Sequence, residues 1–166
     1  DTVKKYYGDY DLDPAIVVAL IGGESGGSYE IATSTSFAAI GLMQWEKSNG
    51  STYVGTKADG TTVEFTNIIS RIAGGDMDLS IELGCATFKD QLDRYYGNVA
   101  AAIQAYNFGP AGFKRCITYY LNKYKGKGNG NGTYFGVSDE EIEEYLTSGD
   151  VGWLTSDARK WYHDVG

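Results

Sequence analysis

Glu24 is the residue best placed to do chemistry. It ends the nearly unbroken apolar stretch A-I-V-V-A-L-I-G-G-E-S-G-G-S-Y, Ala15 to Tyr29. On a helix, Val17, Leu20, Ile21 and Glu24 share one face, so the acid continues a stripe that should point inward. Charged groups seldom sit there without a task. Two effects should hold its proton on: loss of water, and the negative end of the helix dipole, because Gly26 and Gly27 stop the helix just beyond. A carboxylic acid still protonated near neutral pH is a general acid, which is what cleavage of a glycosidic bond calls for.

Two later stretches could complete such a site: Gly41-Leu42-Met43-Gln44, followed by Trp45 and Glu46, and Ala105-Tyr106-Asn107-Phe108-Gly109-Pro110. E-S-G-G, G-L-M-Q and A-Y-N-F-G-P, in this order and rough spacing, resemble the soluble lytic transglycosylases of the lysozyme-like superfamily. The segment D-L-S-I-E-L-G-C, Asp78 to Cys85, is similar to the one that leads into that family's long central helix. The resemblance runs from about Asp11 to Tyr124.

The resemblance implies a mainly α, lysozyme-like α+β fold: a helical bundle around a central helix, with a small β-hairpin excursion and a sugar-binding cleft. It implies that Glu24 protonates the glycosidic oxygen between N-acetylmuramic acid and N-acetylglucosamine in peptidoglycan. It implies that Met43 and Gln44 line the sugar site and that Tyr106 hydrogen-bonds to or orients the acid; Asn107, next to it, reads as holding the turn, with contact to the sugar as the alternative. Ser36, or Thr35, stands where the family has a serine upstream of G-L-M-Q. Trp45 is either a platform for a sugar ring or a plug between helices.

Most glycosidases use two carboxylates, but a substrate's own N-acetyl group can take the second role. One acid then suffices, and the family's reaction closes the muramic acid 6-hydroxyl onto the anomeric carbon without water. Hydrolysis of the same bond, as in a muramidase, would need a group to hold water, for which Glu30 and Glu46 are candidates. Glu46 departs from the family motif. A third reading is a silent module that binds wall glycan without cutting it.

Composition narrows the field. A length of 166 residues suits one domain spanning residues 1–166, and a net charge of -8 without clustered Lys and Arg argues against nucleic acid. No apolar run is long enough to span a bilayer. Aromatics make up 14 %, with 14 Tyr, which suits stacking on sugars and suits a Tyr-rich core equally. No metal or cofactor is expected. One His and two Cys cannot build a zinc site, and the calcium-like Asp9, Asp11 and Asp13 run into Pro14. Cys85 and Cys116 fall on core stripes and read as buried thiols, with a disulfide as the alternative. The chain has no initiator Met, as expected of a mature form or a piece of a longer bacterial or phage wall-degrading protein acting outside the cell, in the wall or on a virion.

The elements that must position these residues are marked by caps. Asp13 and Pro14 open the helix that carries Glu24, which should run to about Ser25. Gly26 to Ala39 reads as irregular loop, and Tyr53 to Thr66 as a hairpin turning at Asp59-Gly60. Asp78 reads as the cap of a helix with the stripe Ile81, Cys85, Phe88, Leu92 and Tyr95, closing at Gly97. Asn98 caps the alanine-rich helix to Tyr106, and Phe113 to Tyr124 form another stripe. Lys125 to Gly136 reads as a flexible loop. Ser138 with Glu141 is a capping box, and a last helix is expected over 156–163.

Overall fold

A computed structural model describes residues 2–128, 130 and 136–149. It is mostly helical, with two small antiparallel β excursions. The chain divides between Asp90 and Gln91 into two compact units. The expected helix over 156–163 and much of the 125–136 loop lie outside the described residues.

In the first unit, α1 (Thr2–Tyr6) precedes α2 (Pro14–Glu24). The Asp13 carboxylate accepts from Ala15 N at 2.8 Å and Pro14 fills a first-turn place that has no N–H to satisfy, so the start of α2 is fixed by chemistry local to it. Gly26 and Gly27, with φ of 63° and 74°, turn the chain away just past its end. The polar N-terminal stretch is less exposed than its composition suggests: Tyr6, Tyr10 and Leu12 are buried, and the Tyr10 hydroxyl donates to Glu82 at 3.1 Å.

The region expected to be plain loop is partly ordered. Ser28 accepts from Ile31 N and caps α3 (Tyr29–Thr33), which buries Ala32. The sequence shows no period because five residues cannot display one. Strands β1 (Ala39–Ile40) and β2 (Trp45–Glu46) then pair with Ile40 opposite Trp45, so that G-L-M-Q is the turn between two very short strands. The expected hairpin is present as β3 (Tyr53–Thr56) and β4 (Thr62–Phe65). Its loop is five residues long. Gly60 takes the positive φ of 88°, and the Asp59 carboxylate accepts from Thr61 N at 2.9 Å.

Helix α4 (Ile68–Ala73) leads to α5 (Met77–Arg94). Asp76, not Asp78, closes the first turn of α5. Its carboxylate accepts from Leu79 N at 3.0 Å, and the Arg71 guanidinium holds it in place at 2.8 Å. Asp78 is exposed within the first turn instead, where a negative charge still suits the helix dipole. From Leu79 to Phe88 nearly every position of α5 is buried. Cys85 is a buried free thiol whose pKa is pushed up to about 12 by burial and then by the charge of Glu82, so it is not a nucleophile at neutral pH.

In the second unit, Asn98 caps α6 (Val99–Phe108) by accepting from Ala101 N at 3.0 Å, while its amide donates to Leu146 O at 2.9 Å. Alanines 100, 101, 102 and 105 are buried, and their small side chains let α6 pack closely. Helix α7 (Pro110–Tyr124) buries Phe113, Ile117, Tyr120 and Leu121 in the same core, and Cys116 is a second buried free thiol. The capping box forms as read: Ser138 Oγ accepts from Glu141 N, and the Glu141 carboxylate accepts from Ser138 N, opening α8 (Asp139–Thr147).

One close contact anchors the G-L-M-Q turn. Met43 is 1 % exposed and lies against Gly84 of α5, where any Cβ would run into the Met43 side chain. Gly84→Ala should therefore cost about 1–3 kcal/mol from overpacking. Urea unfolding should show this as a lowered midpoint, and Met43→Ala in the same chain should recover part of the loss.

Candidate active site

Glu24 is the last residue of α2 and is half-buried, as is Ile21, while Val17 and Leu20 of the same stripe are buried. The acid therefore sits where an inward stripe meets the surface. Its pKa is raised, first by burial and second by the negative charge of Glu46. The first cause is the one that the apolar stripe implies. The second comes from strand pairing, because β1 and β2 return the chain so that Glu46 ends close enough for its charge to reach Glu24.

Ser25, next to the acid, is only 3 % exposed. Its hydroxyl donates to Leu42 O at 2.8 Å and accepts from Gly27 N at 3.2 Å, tying the end of α2 to the motif turn. The other side of that turn is held by Ser80 of α5, whose Oγ accepts from Leu42 N at 2.7 Å. Gly41 has φ of 97° and sits against Ser80, and Gly41 N donates to Ala32 O at 2.8 Å, so the turn leans on α3 as well. Gln44 takes a left-handed φ of 56° and its amide donates back to Gly41 O at 2.8 Å. A non-glycine residue in that conformation carries a cost that the surrounding bonds must offset.

The remaining candidates in this unit fall into two groups. Met43 is in the core beneath the turn, and its burial gives it the part of a prop. Trp45 is half-buried, its ring N–H donates to Gly50 O at 3.0 Å, and its ring meets Tyr53 edge-on at 5.5 Å. Glu46, Glu30, Thr35 and Ser36 are exposed. Ser36 N donates to Ser34 Oγ, and Lys47 Nζ donates to Thr35 O at 2.7 Å, which fixes the path of this loop. In the second unit, Tyr106 is half-buried and Asn107 exposed in the last turn of α6, which Gly109 terminates with φ of 78°.

Ser25 and Ser80 lie inside the motif segments, but spacing alone does not single them out. The signal was a small hydroxyl next to large apolar residues on an inward face, Leu79-Ser80-Ile81 above all. Buried hydroxyls of this kind need partners.

The two causes of the Glu24 shift can be separated. Replacing Glu46 by Gln should bring the Glu24 pKa part of the way down and leave the larger contribution of burial intact, as read by NMR titration of the Glu24 side-chain carboxyl carbon. Because the folded value lies above the unfolded one, the fold favours the protonated acid, so the stability this group contributes is present below the ordinary Glu range and is lost as pH rises through the raised value. Glu24→Gln should thus melt at or above the wild-type temperature at pH 7, with the difference closing as the pH falls through the ordinary Glu range.

Against known proteins, the family model for the transglycosylase SLT domain matches residues 1–129, well over half of the chain. No solved structure matches it. The matched span contains all three motifs, and a mainly helical chain with small antiparallel excursions agrees with the lysozyme-like α+β fold of this family. Its members are lytic transglycosylases acting on peptidoglycan. The chain therefore belongs to the transglycosylase SLT domain family of peptidoglycan-cleaving enzymes.

Proposed function

We propose that the protein cleaves the β-1,4 bond between N-acetylmuramic acid and N-acetylglucosamine by lytic transglycosylation, with Glu24 as the single acid and base. The observation that carries this reading is the raised pKa of a half-buried carboxyl at the end of an apolar helix. In the first step the Glu24 carboxyl gives its proton to the glycosidic oxygen as the bond to the anomeric carbon breaks. The N-acetyl oxygen of the same sugar stabilises the electron-poor carbon. In the second step the 6-hydroxyl attacks that carbon while its proton returns to the Glu24 carboxylate, leaving a 1,6-anhydro end and consuming no water.

Gln44, Trp45 and Ser36 are proposed to meet the sugar, with Met43 supporting them from below. For Tyr106 and Asn107 the support is the A-Y-N-F-G-P motif. The substrate lies outside the cytoplasmic membrane, so the proposed place of action is the cell wall or the extracellular side, and no described helix is long and apolar enough to cross a membrane.

A second reading has one specific observation in its favour. Glu46 is a carboxylate whose charge reaches Glu24, and a pair of acids is what a hydrolase would use to hold and deprotonate water. Mass spectrometry of muropeptides released from purified walls separates the two. Anhydro ends are expected, and reducing ends in their place would transfer the assignment to a muramidase.

Glu24→Gln should lower kcat by about a hundredfold or more, the scale of a lost general acid. Wild-type rates in that variant would remove Glu24 from the chemistry. Glu46→Gln separates the readings further: transglycosylation should persist with its alkaline limb moved to lower pH, whereas hydrolysis through Glu46 should collapse.

A further inference from the structure

Leu42 joins the acid to the motif turn, and its two backbone polar groups end on different helices. Its N–H donates to Ser80 Oγ on α5 at 2.7 Å, and its C=O accepts from Ser25 Oγ at the end of α2 at 2.8 Å. Ser25 Oγ also lies 3.3 Å from Ile21 O, but a hydroxyl has one proton, and the shorter contact to Leu42 claims it. Both serines are buried, at 3 % and 4 % exposure, and Leu42 is half-buried, so these bonds are partly shielded from water.

The clamp closes over a short span of chain. Glu24 precedes Ser25 directly, Gln44 follows Leu42 by two residues, and Glu46 lies two further on. We infer that Ser25 and Ser80 are positioning residues, which act through the peptide groups of Leu42 to hold the Glu24 carboxyl at a fixed spacing from Gln44 and Glu46. The inference rests on the reading of Glu24 as the acid, and it assigns the serines no contact with glycan. Without the Ser80 hydroxyl, the Leu42 N–H of this half-buried turn loses its acceptor, the turn shifts to find another, and the carbonyl that holds Ser25 shifts with it. Displacement of a reacting group by as little as 1 Å can cost about a hundredfold in rate, so such a shift is legible in kinetics.

The test uses Ser25→Ala, Ser80→Ala and the double variant, assayed on soluble glycan strands from purified peptidoglycan. Each single variant should lower kcat about tenfold or more with KM within about twofold. Each should also move the alkaline limb of the pH profile, because the limb reports the surroundings of the acid. The double variant should lose about as much as the worse single one, since both act on one peptide. Ser80→Thr, which keeps the hydroxyl, should restore both kcat and the limb, and if Ser80→Ala does not fold, Ser25→Ala against Ser25→Thr makes the same comparison. Unchanged kcat and an unmoved limb in the alanine variants, or losses that multiply in the double variant, would overturn the inference. Glu24→Gln is run alongside: activity there sinks the acid itself, while an inactive Glu24→Gln beside fully active serine variants sinks only the positioning role.

Discussion

The peptide groups of Leu42 are the constraint on which the first unit depends. Leu42 is half-buried, and its N–H and C=O are each taken up by a buried serine, Ser80 on α5 and Ser25 just past the end of α2. The turn between β1 and β2 is too short to hold itself by strand pairing, since each strand has two residues. Its shape comes from outside: from α5 through Ser80 and Gly84, from α2 through Ser25, and from α3 through Ala32. The left-handed backbone of Gln44 is tolerable because those supports leave it little choice.

The electrostatics of Glu24 follow from the same arrangement. Burial alone lifts the pKa of a carboxyl, and an apolar helix end supplies burial. The turn adds a second carboxylate by bringing Glu46 back along β2. Local helix chemistry and the path of a short hairpin therefore act on one proton in the same direction. A group tuned in this way costs stability when ionised, the usual relation between a working site and the fold that holds it.

Much of this could be read in the chain. Caps at Asp13, Asn98 and Ser138 marked three helix starts correctly because a cap is a local bond, made by residues within three places of one another. The Asp59-Gly60 hairpin was legible from its local turn chemistry and the stripes of α5 and α7 from helical spacing, although Leu92 is only half-buried and Tyr124 is exposed. Asp76 was missed as the helix start because Asp78 has the same side chain two places on, and only the Arg71 bridge and the Leu79 bond distinguish them. Helix α3 and the β1–β2 pair are shorter than any period. The serine pair depends on a contact across 38 residues, from Leu42 to Ser80, which no pattern of spacing reports.

Helix α2 also serves as a ruler. Its start is fixed by Asp13 and its end is marked by Gly26 and Gly27, so the eleven residues of Pro14–Glu24 are a set count spanning roughly 16 Å. One residue inserted between cap and acid would turn Glu24 by about 100° around the helix axis and aim it away from the stripe that buries it. A substitution along α2 can be absorbed by packing, but a change in its length cannot. Variation in length should therefore be confined to places where nothing is being counted, such as the five-residue loop of the β3–β4 hairpin.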